Sequence, residues 1–493
     1  MAEVELLSEV SKFIESAPKM LIGGKPAEAS SGATFEVRDP STGKVLTEVP
    51  RAGVAEVDQA VAAARSAVED RRWSGLRPGK RTEVLYKLGE LIKRNINELT
   101  QLEAIDSGKP VKIASGEIWA AGEVFRYFSG WPTKIFGETN PTQDDMLVYT
   151  LREPVGVCAG IIPWNYPLIM AAWKVAPALA FGNAIILKPA EQTPLTAIRL
   201  GELCLEAGVP EGVVNVVTGF GEEAGQSLAQ HVGVDKVAFT GSTEVGRKIL
   251  HASEDNLKRV TLELGGKSPN IVFPDADMRR AAKGSMYGIF LNTGQVCTAG
   301  SRILVEKSIH DEFVQSLIEA TASMKLGPAL DDESGMGPVV SEQQLERVIG
   351  YIDIGSSEGA DIATGGGRAV DLGEGYFVQP TIFTGVRNDM RIAQEEIFGP
   401  VAAVIEVDDV DHAIEVANDT IYGLAASVWT TDLAKAHRVA KGIKAGTVWI
   451  NGHGLVDPSV SFGGYKQSGF GRELGVHSME AYTEVKSVWV NLK

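Results

Sequence analysis

The chain has 493 residues, 44% hydrophobic and 23% charged, and its 64 acidic against 47 basic side chains give a formal net charge of −17. That is enough chain for two to four domains at roughly 150 residues each, with cores large enough to need no disulfide or metal staple. The composition excludes collagen, low-complexity disorder and a charged tail protein. The acidic balance argues against a nucleic-acid partner.

The three cysteines, Cys158, Cys204 and Cys297, lie far apart with no zinc-type Cys/His spacing. No metal site and no disulfide framework is expected, and a reducing, cytoplasmic setting follows. The start, MAEVELLSEVSKFIESAPK, mixes acidic and apolar residues. It lacks the marks of a signal or transit peptide. No uninterrupted apolar run is long enough to read as a membrane span.

Residues 30–130 read mostly as helices, as in VDQAVAAARSAVED and RTEVLYKLGELIKR. The segment near Pro132–Leu151 is strand-like but unable to bury both faces alone. From about Leu151 to Gly266, short apolar runs alternate with helical patterns: VGVCAGII, AIILK, VVNVV and KVAFT as strands, LIMAAWKVAPALA, LTAIRLGELCLEAG and EEAGQSLAQH as helices. Gly208 stops the second of these helices. Such alternation predicts a parallel, doubly wound sheet that binds ligands at the carboxyl ends of its strands. A second alternating block runs from NIVF through the helix at Ala281–Phe290, the loop NTGQVCTAGS, RILVE and HDEFVQSLIEATASMK to TVWIN. The tail AYTEVKSVWVNLK is again strand-like, and its natural partner is the segment near 132–151 or a second subunit.

Four segments carry chemistry. Cys297 sits among small and polar residues in a loop entering a strand, where backbone amides can converge on its sulfur. Most cysteines are inert core residues, and Cys158 and Cys204 fit that description. A nucleophilic thiol needs a site that stabilises its thiolate. Glu263 interrupts an apolar strand just before two glycines. It reads either as a surface residue on an edge strand or as a general base whose pKa burial raises. Asn165 stands in Pro163-Trp-Asn-Tyr-Pro167, a turn stiffened by two prolines. It reads as a turn former or as an oxyanion donor. Lys188-Pro-Ala-Glu191 and Phe239-Thr-Gly-Ser-Thr-Glu-Val-Gly246 end strands and are nucleotide candidates. Gly219-Phe-Gly221 is a weaker one. An acid such as Glu191 accepts hydrogen bonds from a ribose and repels a 2′-phosphate, favouring NAD over NADP.

PWNYP, KPAEQTP, FTGSTEVG, LELGGKSP, GQVCTAGSR, EEIFGPV and FGGYKQSGFGRELG occur in this order. With them the chain resembles the aldehyde dehydrogenase superfamily over essentially its whole length. The resemblance implies an α/β fold with a Rossmann-like nucleotide domain (1–131 and 152–262), a second α/β catalytic domain (263–467), and a small β oligomerisation domain (132–151 and 481–493). It implies Cys297 as nucleophile, Glu263 as general base, Asn165 as oxyanion donor, and Lys174 and Glu473 as proton-relay helpers. Lys188, Glu191, Gly221, Ser242, Trp164, Glu396 and Phe398 fall on cofactor positions, and NAD is the implied cofactor with NADP possible. Because relatives that pass the acyl group to coenzyme A lack the glutamate, Glu263 implies a free acid product. Tyr166, Met170, Trp173, Val296, Thr298, Val456 and Phe462 fall on the aldehyde tunnel. That wall is apolar and aromatic, which suits a medium-chain or aromatic aldehyde such as phenylacetaldehyde. A semialdehyde or betaine-aldehyde enzyme, or a catalytically silent relative, are the alternatives. The separated arm and tail imply a homo-oligomer, a tetramer before a dimer.

Overall fold

The computed structural model describes residues 5–493. Two large sheets and a small one organise the chain. The first sheet has five parallel strands at its centre, in the order Arg259–Glu263, Lys236–Thr240, Val157–Ile161, Ala184–Lys188 and Val214–Val216. Every residue of the three middle strands is buried, as expected of a parallel sheet covered by helices on both faces. The strand order reverses beside Val157–Ile161: the next strand in sequence pairs on one side and Lys236–Thr240 on the other. A crevice opens at the carboxyl ends at such a point.

Helix Pro167–Ala180 leaves the first of these strands through the proline-bracketed turn, and Leu195–Ala207 ends at Gly208 in the left-handed conformation, φ +104°. The N-terminal part adds strands, and those within 30–50 depart from the helical reading of residues 30–130. Met20–Ile22 and Lys25–Ala27 form an antiparallel edge on the first sheet, and Thr34–Arg38 pairs with Val45–Pro50 as a hairpin. These strands are short and mostly at an edge, so neither helical periodicity nor a buried apolar run marks them.

The second sheet runs Asp361–Thr364, Thr381–Thr384, Val401–Val407, Arg302–Glu306, Pro269–Val272, Ala425–Trp429 and Thr447–Ile450, parallel except for its first pair. The third pairs Met146–Pro154 with Thr483–Asn491 along nine antiparallel positions, so the two orphan segments meet within one chain. The first of these strands runs past residue 151, to Pro154. Leu147, Leu151, Val485 and Trp489 of this sheet remain exposed. Among the described residues no helix is long and apolar enough to cross a membrane.

After the second sheet the chain returns to the first, where Gly469–Phe470 pairs antiparallel with Leu262–Glu263. Gly469 has φ +111°, and a β-carbon there would lie 2.0 Å from the Leu262 carbonyl oxygen. Gly469→Ala is therefore expected to cost on the order of 1–3 kcal/mol and to disturb the strand end that carries Glu263. Thermal unfolding and turnover measured together should both fall; a variant with the wild-type midpoint would contradict this account.

Candidate active site

The cysteine loop begins where helix Met278–Phe290 gives way to the tight turn Leu291–Gly294. There Asn292 (φ 49°) and Thr293 (φ 58°) are left-handed. Asn292 Nδ2 donates to the Asn165 carbonyl at 2.9 Å, and Asn165 Nδ2 donates to the Gln295 carbonyl at 2.8 Å. Gln295 in turn accepts the Val340 N–H through its side-chain oxygen at 2.9 Å. The loop is thus tied to the PWNYP turn of the first sheet. It also rests on the double glycine, since a β-carbon at Gly266 would lie 2.4 Å from the Cys297 carbonyl oxygen.

Burial, then the carboxylates of Glu396 and Glu263, push the Cys297 thiol up to about 12, while the backbone N–H groups of Thr298 and Cys297 pull the other way. Cys158 and Cys204 are fully buried, in a strand and a helix, and burial alone accounts for most of their rise to about 12.

Glu263 is not at an edge. Its strand is flanked by Thr240 on one side and Gly469 on the other. The side chain is 4% exposed and neither carboxylate oxygen has a hydrogen-bond partner. Burial raises its pKa well above the usual range and the Glu473 carboxylate adds to this, while Lys174 and Arg472 oppose it. Lys174 Nζ, fully buried, donates to Glu473 Oε1 at 2.6 Å and to Thr240 Oγ1 at 2.7 Å. The two helper candidates therefore form one buried ion pair beside Glu263.

The nucleotide candidates spread along the crevice. Lys188 Nζ is buried, donates to the Pro189 carbonyl at 2.7 Å and lies 3.9 Å from Glu191. Burial lowers its pKa to about 8. Gly225 lies against its alkyl chain, and Gly221 opens the short helical turn that leads there. Ser242 caps helix Thr243–Ala252, its hydroxyl accepting the Val245 N–H at 3.2 Å. A helix start of this kind favours phosphate. Glu396 accepts the Gly266 N–H at 3.0 Å, and a β-carbon at Gly265 would lie 2.2 Å from its carboxylate. Burial raises Glu396 to about 7. Phe398 (φ +61°) meets Trp164 edge-on at 5.1 Å. The spare N–H groups of Lys188, the open helix start and the glycine beside Glu396 fit a dinucleotide.

The tunnel candidates divide. Trp173 packs edge-on against Phe462 at 5.1 Å, and its indole N–H has no partner. Tyr166 carries the Lys109 ammonium 4.2 Å above its ring; burial, Glu117 and Cys297 raise its phenol. Met170 and Cys297 pack against the first sheet's core, Val296 against the second's, and Thr298 is buried. Val456 is half exposed. Sequence reasoning missed Asn292, Gln295, Thr240 and Arg472. Asn292 and Gln295 flank the cysteine in the same motif and were the nearest available signal.

A dinucleotide-type crevice, a loop cysteine and a buried carboxylate on adjoining sheets define an oxidoreductase-type α/β enzyme. The family model described as "Aldehyde dehydrogenase family" matches residues 27–488. The chain is similar to the putative aldehyde dehydrogenase DhaS of Bacillus subtilis, 48% identical over 99% of each chain. An NAD+ complex structure of aldehyde dehydrogenase from Bacillus cereus superposes with TM-score 0.98 at 50% identity, covering 100% of both chains. The P. syringae indole-3-acetaldehyde dehydrogenase AldA, in complex with NAD+ and IAA, gives TM-score 0.95 at 44% identity over 98% of this chain and 99% of its own. The chain belongs to the aldehyde dehydrogenase family.

Glu473→Gln removes the repulsion that raises Glu263 and leaves the Lys174 charge free to lower it, so the Glu263 pKa falls. The acidic limb of the pH–rate profile should then move to lower pH, whereas Lys174→Met should move it to higher pH. A limb unmoved in both variants would detach Glu263 from this pair.

Proposed function

We propose that the chain oxidises an aldehyde to the free carboxylic acid with NAD, through a covalent intermediate on Cys297. The observation that carries this reading is the buried, unpartnered carboxylate of Glu263, on the strand that leads into the double glycine against which the Cys297 loop rests. Lys188 and Glu191 hold the adenosine ribose, Ser242 and Gly221 lie at the pyrophosphate and adenine, and Glu396, Phe398 and Trp164 flank the nicotinamide end. When bound, NAD supplies the oxidised ring that accepts a hydride. The Glu191 carboxylate disfavours a 2′-phosphate, which supports NAD over NADP.

The reacting form of Cys297 is its thiolate, which the backbone N–H groups of Thr298 and Cys297 favour. The thiolate attacks the aldehyde carbon, and the Asn165 amide with the Cys297 N–H holds the resulting oxyanion. After oxidation the thioester is cleaved by water whose proton goes to Glu263, with the Lys174–Glu473 pair as the route onward. Tyr166, Met170, Trp173, Val296, Thr298, Val456 and Phe462 form an apolar, aromatic approach for the substrate. The likeness to an indole-3-acetaldehyde dehydrogenase supports an aromatic aldehyde. The exposed apolar arm sheet supports a homo-oligomer, a tetramer, and three free cysteines suit the cytoplasm.

Glu263→Gln should give one burst of NADH and then stall, Cys297→Ala no burst, and Asn165→Ala about 10²–10³-fold lower kcat. Steady turnover by Glu263→Gln would sink the general-base assignment. A panel of aldehydes assayed for kcat/KM with NAD and NADP should rank phenylacetaldehyde above succinic semialdehyde and betaine aldehyde. The reverse order, or a preference for NADP, would overturn the substrate or cofactor reading.

A further inference from the structure

Cys297 and Thr298 are the central residues of a turn closed by the Ala299 N–H, which donates to the Val296 carbonyl at 2.9 Å. The other end of the same Thr298–Ala299 peptide plane is also held. His453 Nε2 lies 3.0 Å from the Thr298 carbonyl oxygen. A carbonyl only accepts, so Nε2 carries the proton. Burial pushes the imidazole down to about 4, so it is neutral at ordinary pH and has that single N–H to give.

The ring sits in a built slot. Gly288 and Gly300 face it from two sides, where β-carbons would come within 3.0 and 3.1 Å of its carbons. Gly300 and Gly288 are themselves bonded, N–H to carbonyl, at 2.9 Å. The Trp449 ring covers the imidazole at 4.9 Å between centroids. Behind it, the Ser427 hydroxyl lies 3.0 Å from Nδ1 and 2.7 Å from Asn270 Oδ1. Asn270 also accepts the Trp429 indole N–H at 2.7 Å and donates to Ser285, whose hydroxyl reaches the Ala281 carbonyl at 2.7 Å. A buried chain of polar groups thus runs from helix Met278–Phe290 through the second sheet to the residue after the nucleophile.

We propose that His453 is a positioning residue for the nucleophile: by holding the Thr298 carbonyl it fixes the turn that carries the Cys297 sulfur. The inference rests on Cys297 as the attacking group. Rotation of the Thr298–Ala299 plane would break the Ala299–Val296 bond and open the turn around Cys297. His453 has no place among the relay, cofactor or tunnel residues, so its effect should fall on the covalent step.

The test is the pre-steady-state NADH burst of the holoenzyme with a saturating aldehyde, alongside the rate of Cys297 alkylation by iodoacetamide. His453→Leu should lower both rates about tenfold or more and leave KM for NAD within about twofold, the signature of a misplaced reacting group. His453→Gln, which keeps a donor within reach of Thr298, should recover to within about threefold of wild type. Wild-type rates in His453→Leu overturn the proposal, and so does a His453→Gln as slow as the Leu variant, because the ring then matters only for packing. If His453→Leu does not fold, His453→Asn, whose amide is too short to reach, takes its place with the same expectations. Cys297→Ala run in parallel tests the nucleophile by itself, so failure there is distinct from failure here.

Discussion

Asn165, Asn292 and Gln295 exchange side-chain and backbone hydrogen bonds between the PWNYP turn and the cysteine loop. The turn belongs to the first sheet and the loop leads into the second. Glu263 stands on the first sheet and Cys297 on the loop, so a shared site exists only while the two are docked. All three side chains are buried, and a buried amide that loses its partner keeps its full desolvation cost. That cost makes the docked geometry sharply preferred over a shifted one. The Gly266 contact with the Cys297 carbonyl adds to this register, since a side chain there would push the loop off the first sheet.

Within that frame the electrostatics oppose an early negative charge. Glu263, Glu396 and Glu473 crowd the same region, and burial makes a charge on Glu263 or Glu396 costly. The thiol is held high for the same reason. The compensating groups are local: two backbone amides at the sulfur, and the Lys174 ammonium at Glu473. The net charge of −17 therefore says little about the reaction. The groups suited to an anionic ligand, the Ser242 helix start and the Lys188 ammonium, act over a few ångströms, where the overall field is screened.

Much of the architecture was legible because its signals are local. The strands at Ala184–Lys188, Lys236–Thr240 and Arg302–Glu306 coincide with the apolar runs that announced them, since strands buried on both faces are filled mainly by apolar side chains, with Lys188, Lys236, Thr240 and Arg302 confined to their ends. The hairpin Thr34–Arg38 with Val45–Pro50 was not legible. Its alternation is brief, and its partners are set by a turn rather than by a buried run. The arm and tail were readable as strands, but their nine-position pairing spans more than 300 residues of chain, and no local pattern encodes a partner that distant.

The sequence by itself determined which chemistry-bearing residue types stand beside glycines and prolines: Cys297 in a small-residue loop, Glu263 before Gly265 and Gly266, Asn165 between two prolines. These are backbone-level constraints, written within a few neighbouring positions. The tertiary structure decided the environments. It buried Glu263 without a partner, set Lys174 against Glu473 across 299 positions, and brought His453 to the Thr298 carbonyl across 155. Desolvation and ion pairing depend on what surrounds a group in space, and that is settled only when distant segments pack together.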